Sequence, residues 1–253
     1  MALEKLSHER NSRPVTSRQT QPHPRLEELA HRHLANPFRR PPADHSRKAF
    51  DTFARLWRSN QLCLLDAGCG TGESTAAIAK RYPDRLVVGV DQSEARLAKV
   101  ARYKADNLFY VRADLVDFWL LAAQAGMKFE RQYLLYPNPW PKPEHVGRRW
   151  PGHPVLPSLL ACGLAIELRT NWLVYAQEWA QVFHLATGLV ATVKPWHPQI
   201  PESAHERKYL HSGHELWRSV PENFFEHIPA FDKTHEAPLS IDHEVGHGES
   251  LKS

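Results

Sequence analysis

The chain has 253 residues, of which 42% are apolar, with a net charge of +4 at pH 7 and an isoelectric point near 9.0. This length suits one domain of about 200 residues with additional segments at its ends. No run of about 18 apolar residues occurs, and the N-terminus lacks the apolar segment of a secretory signal, so neither a membrane span nor secretion is expected. A basic chain suits a nucleic-acid partner, or no polyanionic partner at all.

Residues 1–45 are predicted to form a basic, disordered arm. Ten Lys and Arg against five Asp and Glu within residues 1–50 give this region a charge of +5. A short helix is possible over residues 25–36, before a run of prolines. The arm could contact nucleic acid, although basic tails are often merely solvated. The polar residues 230–253 predict a flexible tail, which leaves residues 46–229 as the folded domain.

Strands alternate with helices from residue 62 onward. Apolar residues recur at helical spacing before this point, and Phe50, Phe53 and Trp57 predict a helix there. A last segment, residues 205–220, is expected to return as an antiparallel edge strand. The pattern predicts an α/β fold, namely a doubly wound, mostly parallel, seven-stranded Rossmann-like sheet. The other six strands are predicted at residues 62–68, 85–91, 107–114, 131–138, 164–171 and 189–195.

The turn after the first strand contains the motif D-x-G-x-G-x-G. Asp66 ends the strand, and Gly68, Gly70 and Gly72 lead into a helix. Glycines allow a tight turn and close approach of the backbone to a ligand, and the helix N-terminus adds free amides. The spacing differs from the dinucleotide fingerprint G-x-G-x-x-G. It resembles the form seen in class I S-adenosylmethionine methyltransferases, and all four residues are therefore predicted to bind that cofactor.

Two further acids follow the second and third strands. Asp91 lies about 20 residues after the glycines, where an acid can accept hydrogen bonds from both ribose hydroxyls of a nucleoside cofactor. Asp114 can accept from an adenine amino group, or it can be an ordinary turn residue at a strand end. The carboxyl ends of parallel strands share one edge of the sheet, so both acids are predicted to contact the cofactor beside the glycine turn.

The fourth strand ends in the sequence YPNPWPKPEHVGRRW. Its prolines restrict the backbone and are expected to hold Asn138 at the same sheet edge, in contact with the cofactor. Trp140 can stack on a base or pack under the turn. Lys142, Arg148 and Arg149 are predicted phosphate contacts, with a solvated run of charge as the alternative.

This stretch resembles the signature of the tRNA (guanine-N7)-methyltransferase family, which has an aromatic residue, Pro, Asp, Pro, Trp, then Lys, His and paired Arg. The segment RTNWLVYAQEW, with Thr170 and Asn171, resembles a second family block. The segment ESAHERKYLHSGHELW, with Ser203 and Glu206, resembles a third. The resemblance covers residues 66–217. It implies a class I methyltransferase fold, S-adenosylmethionine as the cofactor and guanine N7 in tRNA as the substrate.

The resemblance also implies roles for the matching residues. Asn138, Asn171 and Glu206 are expected to be catalytic by orienting the guanine. Thr170 and Ser203 are expected to assist them in binding the substrate, together with Asn171 and Glu206. The other expected substrate contacts follow the fourth strand, and they are Trp140, Lys142, Arg148 and Arg149.

The chain departs from the family because Asn138 and Asn171 replace acids and Ser203 replaces Thr. A carboxylate accepts from guanine N1–H and N2 with charge assistance, worth about 1.5–3 kcal/mol against about 1 kcal/mol for a neutral bond. Guanine binding is therefore expected to weaken by about an order of magnitude or more. Attack by N7 requires positioning rather than a strong base, so transfer remains feasible.

The two amides leave other functions open. Methyltransferases that act on exocyclic amino groups carry Asn/Asp-Pro-Pro-aromatic at this strand end, whereas this chain has Asn138-Pro139-Trp140 without the second proline. A paralogue that acts on another substrate is a related alternative. The alternative from a different class is a module that binds S-adenosylmethionine or RNA without turnover.

The remaining motifs exclude other chemistries. Scattered His residues form no HExxH pattern, so no metal site is expected. Cys63, Cys69 and Cys162 form no CxxC pair, which favours a reducing, cytoplasmic location. No Walker motif occurs. The expected assembly is a monomer or a homodimer without a membrane partner.

Overall fold

The computed structural model describes residues 12–58 and 61–225. The predicted tail at 230–253 lies outside the described residues. None of the described helices is both long and apolar enough to cross a bilayer. The strands are Cys63–Ala67 (β1), Leu86–Asp91 (β2), Leu108–Arg112 (β3), Arg131–Leu135 (β4), Ile166–Thr170 (β5), Ala191–Pro195 (β6) and Trp217–Pro221 (β7). The α-helices are Leu26–Ala35 (α1), Asp44–Leu56 (α2), Glu73–Arg81 (α3), Glu94–Leu97 (α4), Leu115–Gln124 (α5), Leu156–Ala161 (α6), Leu173–Thr187 (α7) and Ala204–His211 (α8).

The strands form one seven-stranded sheet in the order β3-β2-β1-β4-β5-β7-β6. Strands β1 to β5 pair in parallel, whereas β7 pairs antiparallel with both β5 and β6. The predicted α/β fold with a doubly wound, mostly parallel sheet is confirmed. The strand predicted over residues 205–220 is confirmed only at its end, in β7, because the first part of that segment forms α8. Strand β7 also lies one position inside the sheet, since β6 occupies the edge.

Helices cover both faces of the sheet. This is visible at β1, where successive residues belong to two different apolar clusters. Leu65 belongs to a large cluster that also contains Phe53 of α2, Phe118 of α5 and Trp179 of α7. Leu64 belongs to a smaller cluster with apolar residues of α3. Strand β1 is buried along its whole length. Such two-sided burial explains why this parallel strand is apolar at every position except Asp66, rather than alternating between apolar and polar residues.

The first helix belongs to the folded domain. This corrects the predicted disorder for that part of residues 1–45 and agrees with the short helix expected over residues 25–36. Residues 1–11 lie outside the described ranges. In the described part, α1 contacts α7 and α6, and its Leu26 and Ala30 are fully buried. Composition indicates disorder when a segment cannot bury enough apolar surface. Here one apolar face of α1 buries enough surface to order the segment, since it packs against the large core cluster.

We expect Leu26→Ala to destabilise the protein by about 2–5 kcal/mol, because it removes a fully buried side chain. Leu34→Ala on the same helix is the matched control, since Leu34 is 37% exposed. Its effect should stay within about 0.5 kcal/mol. Urea unfolding of the full chain measures both. Equal, small effects would contradict the docking of α1.

Candidate nucleotide-cofactor and substrate site

The carboxyl ends of the first five strands lie along one edge of the sheet. The register pairs Ala67 with Val90, and Asp91 with Arg112, so β1, β2 and β3 end at the same level. Strand β4 pairs with β5 in the same direction. The predicted site residues therefore come together at a single edge, in the place where open α/β sheets bind ligands.

The glycine turn has the geometry that its sequence predicts. Gly68, Gly70 and Gly72 have φ values of 85°, 58° and 80°, which favour glycine strongly. A Cβ at Gly70 would meet no atom within 4 Å, so the space beside this backbone is open. The turn leads directly into α3, whose first-turn amides have no helical acceptor. Open backbone and free amides together suit a polar ligand.

Asp66 supports this turn from behind. Its side chain is 1% exposed, and Oδ2 accepts hydrogen bonds from Ser74 Oγ at 2.6 Å and Thr75 Oγ1 at 2.7 Å. The predicted direct contact between Asp66 and the cofactor is therefore wrong, since the carboxylate has almost no accessible surface. Burial raises the pKa of Asp66 to about 6, although the two hydroxyl donors pull it down.

Asp91 joins the end of β2 to the glycine turn. Its Oδ2 accepts from Gly70 N at 3.1 Å, and its Oδ1 accepts from Ser93 N at 2.8 Å. Arg96 lies 3.4 Å from Oδ2. An ionised carboxylate has about four lone-pair positions, so acceptor capacity remains for a further donor. Contact with a ribose stays a prediction at this residue.

Asp114 caps the start of α5. Its Oδ1 accepts from Val116 N at 2.9 Å, and Arg40 Nη2 lies 2.9 Å from the same oxygen. Arg40 also pairs with Asp117 at 2.5 Å. These contacts favour the turn-residue interpretation of Asp114. Its predicted contact with adenine would have to use Oδ2, which has no hydrogen bond within the described part of the chain.

The proline-rich stretch after β4, residues 136–150, is called the proline turn. Its backbone is strained on both sides of Asn138. Tyr136 and Trp140 have φ values of 54° and 44°, which are outliers for aromatic residues. Such strain costs about 1–3 kcal/mol per residue and is typical of functional sites. Asn138 is exposed, and its Oδ1 accepts from Trp140 N at 3.2 Å. The turn therefore presents Asn138 to solvent at the site edge in a fixed local conformation.

Buried groups hold both strained residues. Tyr136 OH donates to Glu206 Oε1 at 2.6 Å, and its backbone N donates to Arg169 O at 2.7 Å. Arg149 Nε donates to Trp140 O at 3.1 Å. These bonds compensate for the unfavourable backbone conformation, because each ties a strained residue to the packed interior.

Arg149 is a structural residue, and its predicted phosphate contact is wrong. The side chain is 0% exposed, and Nη1 donates to both carboxylate oxygens of Glu178, at 2.6 and 2.8 Å. Nη2 donates to the carbonyl oxygen of Lys142 and to Gln19 Oε1, each at 3.1 Å. The guanidinium also lies 4.7 Å from the centre of the Trp172 ring. Burial of an arginine requires such complete pairing, which leaves no donor for a phosphate.

The exposed face of the turn carries the remaining predicted RNA contacts. Lys142 and Arg148 are exposed. The Arg148 guanidinium lies 4.7 Å from the centre of the Trp140 ring, and His145 packs edge-on at 5.5 Å. Trp140 is half-buried, so it packs on the turn and has one ring face covered by Arg148. Its predicted stacking on a base would require Arg148 to move or the opposite face to be used.

The end of β5 places Asn171 beside a histidine. Asn171 Nδ2 lies 3.1 Å from His214 Nδ1, and His214 Nε2 lies 2.9 Å from the carbonyl oxygen of Ser12. Asn171 is half-buried, so a substrate can still reach it. Thr170 is 1% exposed and accepts from Trp172 N at 3.2 Å. The predicted substrate contact of Thr170 is therefore wrong, because its hydroxyl orders the entry to α7 instead.

Glu206 is also a structural residue rather than a substrate contact, which corrects its predicted catalytic role. It is 0% exposed, and its Oε1 accepts from Tyr136 OH, from Trp196 Nε1 at 2.8 Å and from Arg169 Nη1 at 3.1 Å. Its Oε2 accepts from a backbone amide of the preceding turn at 2.7 Å. Ser203 caps α8 by accepting from Glu206 N at 3.1 Å. Together they fix the start of α8.

A cavity of about 120 Å³ lies between the glycine turn and the start of α8. Arg207 of α8 pairs with Glu73 of α3 across this gap. Within the described residues, no cluster of His, Cys, Asp or Glu side chains is arranged to hold a metal ion. Residues that line the cavity include Gly68, Gly70, Ser74, Arg96, Ser203 and His205.

Sequence reasoning missed the buried charges that position the site. Glu178 is fully buried in α7, and it is three and four residues after two other buried positions, Tyr175 and Val174. That spacing could have indicated a buried carboxylate in need of a cation. Arg169 is 2% exposed and pairs with Glu167 at 2.6 Å. The signal for this second pair was the presence of two opposite charges, Glu167 and Arg169, two positions apart in the predicted strand β5.

Residues 60–219, more than half of the chain, match the family model described as "Putative methyltransferase". The chain belongs to this methyltransferase family. The predicted methyltransferase activity is confirmed. The glycine turn of this methyltransferase, the acid at the end of β2 and the proline turn all fall within the matched region.

Curated relatives of this methyltransferase bear the name tRNA (guanine-N(7)-)-methyltransferase. The protein of Leifsonia xyli subsp. xyli is 31% identical over 166 residues, which is 62% of this chain and 72% of the relative. The protein of Burkholderia pseudomallei is 28% identical, over 62% of this chain and 63% of the relative. The protein of Neisseria meningitidis serogroup C is 27% identical, over 64% and 72%. The predicted resemblance to this family is confirmed.

Solved structures support the fold. The 16S rRNA methyltransferase KamB is 18% identical, with a TM-score of 0.51, and the match covers 72% of this chain and 94% of KamB. An antibiotic-related methyltransferase is 15% identical, with a TM-score of 0.50, and the match covers 68% of this chain and 92% of that chain. Both have the same class of fold as this methyltransferase.

We expect Arg149→Ala to destabilise the methyltransferase by about 3–5 kcal/mol, because it leaves Glu178 buried and unpaired. Arg148→Ala, at the adjacent exposed position, should change stability by no more than about 0.5 kcal/mol. Thermal and urea unfolding measure both variants. Similar effects of the two substitutions would contradict the structural role of Arg149.

The raised pKa of Asp66 makes the free energy of unfolding depend on pH. Its folded pKa of about 6 exceeds the ordinary value of 3.8, so its contribution is fully present below about pH 4 and is lost as the pH rises through 6. Relative to the wild type, Asp66→Asn should therefore gain on the order of 3 kcal/mol between these values. Unfolding at closely spaced pH values measures the difference. A flat difference profile would refute the raised pKa.

Proposed function

We propose that this methyltransferase transfers a methyl group to guanine N7 in tRNA. The observation that carries the proposal is the placement of Asn138 and Asn171 on neighbouring strand ends, next to the glycine turn and Asp91. The names of the curated relatives give the same substrate. We also propose that the protein acts in the cytoplasm as a monomer or homodimer.

The residues at the edge fit the cofactor. The open backbone at Gly70 and the cavity beside Gly68 suit the amino-acid portion of S-adenosylmethionine. Asp91 retains acceptor capacity for ribose hydroxyls, and Asp114 Oδ2 is available for the adenine amino group. Arg96 lines the cavity and can pair with the carboxylate of the cofactor. When bound, S-adenosylmethionine supplies a methyl group on a positively charged sulfur.

The chain has to orient the guanine rather than activate it. Guanine N7 has an in-plane lone pair and no proton, so forming the new N–C bond requires no general base. Asn138 Oδ1 and Asn171 Oδ1 can accept from the N1–H and N2 donors of the guanine edge. The strained, internally bonded proline turn keeps Asn138 in place before the substrate arrives. Preorganisation of this kind lowers the entropic cost of alignment.

Exposed basic residues around the edge support an RNA substrate. Lys142 and Arg148 project from the proline turn, and Arg13 and Arg18 precede α1. Cations in these positions neutralise phosphates and position an RNA without reading its sequence. Arg18 lies next to Ser17, whose Oγ donates to the carbonyl oxygen of Pro141 at 2.5 Å. The N-terminal segment and the proline turn therefore offer a continuous contact surface.

Transfer to an exocyclic amino group is a second candidate function. It is favoured by the amide at 138, since Asn138 Oδ1 and the Pro139 carbonyl oxygen could both accept from an NH2 group. The identity of the methylated nucleoside separates these candidates.

The decisive assay is transfer of labelled methyl from S-adenosylmethionine to unmodified tRNA, with product nucleosides separated by mass. We expect label in 7-methylguanosine. Asp91→Ala should weaken cofactor binding about 10- to 100-fold, because it removes a charged acceptor. Asp84→Ala is the matched control. Asp84 is an exposed acid that precedes the N-terminal end of β2, whereas Asp91 is at the C-terminal end of the same strand. The control substitution should leave both binding and transfer unchanged.

Each other result identifies a different function. Label in a methylated amino group would support the second candidate and refute guanine N7. Cofactor binding without label in any nucleoside would refute an RNA substrate. Equal effects of the two Asp substitutions would remove Asp91 from the cofactor site.

A further inference from the structure

We infer that His214 is a positioning residue that fixes the amide orientation of Asn171 and makes this side chain an acceptor toward the substrate base. The inference rests on the proposed function, since the base concerned is the guanine. It explains how a neutral amide can take over the one-sided acceptor role that a carboxylate has by nature.

The backbone carbonyl of Ser12 selects the tautomer of His214. Its Nε2 lies 2.9 Å from the carbonyl oxygen of Ser12. A carbonyl oxygen can only accept, so Nε2 must carry the proton. In the neutral imidazole, the other ring nitrogen is then an acceptor. The contact with Ser12 therefore selects one of the two neutral tautomers.

The tautomer in turn sets the amide of Asn171. His214 Nδ1 lies 3.1 Å from Asn171 Nδ2. Because Nδ1 accepts, the group that faces it has to be the NH2 donor and not the carbonyl oxygen. The carbonyl oxygen of Asn171 is left without a hydrogen bond among the described residues. A substrate that reaches Asn171 therefore meets an acceptor.

Aromatic packing fixes the imidazole ring. The ring of Tyr209 stacks on His214 with centroids 5.1 Å apart and planes 17° apart. Tyr209 in turn contacts Tyr136, the first strained residue of the proline turn, at 5.5 Å. The imidazole is therefore held by a stack and two hydrogen bonds. This makes a flip of the Asn171 amide costly, since a flipped amide would place its carbonyl oxygen against Nδ1.

The orientation has a consequence for specificity. Guanine offers the N1–H and N2 donors along its Watson–Crick edge, whereas adenine has an acceptor at N1. A fixed acceptor at Asn171 favours guanine and is repelled by the N1 lone pair of adenine. With a free amide, either base could be accommodated by rotation. The Ser12–His214–Asn171 chain of hydrogen bonds thus selects the base.

Two substitutions of His214 separate its hydrogen bonds from its packing. His214→Phe keeps the stack on Tyr209 and removes both bonds. His214→Gln can accept from Asn171 with Oε1 and donate to Ser12 with Nε2. We expect kcat/KM for tRNA to fall about fivefold in the Phe variant, in line with one lost neutral hydrogen bond, and to return to within about twofold in the Gln variant. Cofactor affinity should not change in either.

A double-mutant cycle distinguishes positioning from a general structural effect. In an Asn171→Ala background, His214→Phe should cause no further loss of kcat/KM, because the amide that it orients is absent. An equal fivefold loss in both backgrounds would overturn the inference. So would full activity of His214→Phe alone.

A measurement without turnover tests the inference independently of the proposed function. In the ¹⁵N-labelled full chain at mildly alkaline pH, the ring nitrogens of His214, identified by their loss in His214→Phe, should show a proton on Nε2. A proton on Nδ1 would overturn the inference whatever the activity. If no 7-methylguanosine forms, the proposed function fails; an Nε2 proton would still support the fixed acceptor, now facing another substrate.

Discussion

The buried ion pair between Arg149 and Glu178 holds the candidate substrate site together. Two hydrogen bonds of 2.6 and 2.8 Å join the pair, and both side chains have no exposed surface. From this centre the guanidinium reaches the backbone of the proline turn and Gln19 of the N-terminal segment. Glu178 in turn accepts from Gln19 Nε2 at 2.7 Å and from His23 N at 3.0 Å. Three distant parts of the chain are therefore fixed by one pair of charges.

A second network of buried charges fixes the opposite side. Glu167 accepts from Arg169 and Arg218, and Arg169 continues to Glu206 and to Glu202. Burial alone would raise the pKa of Glu167, but the neighbouring guanidinium groups outweigh it and hold the pKa below its usual value. Buried pairs of this kind contribute little net stability, yet breaking one is costly. Their value here is geometric, since they set α8 against the proline turn.

The two networks explain how the backbone outliers persist beside the site. Tyr136 is bonded to the second network through Glu206, and Trp140 to the first through Arg149. Asn138 lies between these two anchors and is exposed to solvent. A site of this kind has its contact residues on the surface and its positioning residues behind them.

The sequence by itself determined the α/β fold, the glycine turn and the strand-end positions of Asp91, Asn138 and Asn171. It could do so because strand periodicity and Gly-rich or Pro-rich turns are local signals, and parallel strand ends necessarily share an edge. Only the tertiary structure decided which of the predicted site residues are exposed and which are buried. Asp66, Arg149, Thr170 and Glu206 match family motifs, yet each is at most 1% exposed. The partners that bury them lie up to 130 positions away, as Gln19 does from Arg149, and no local pattern encodes such pairing.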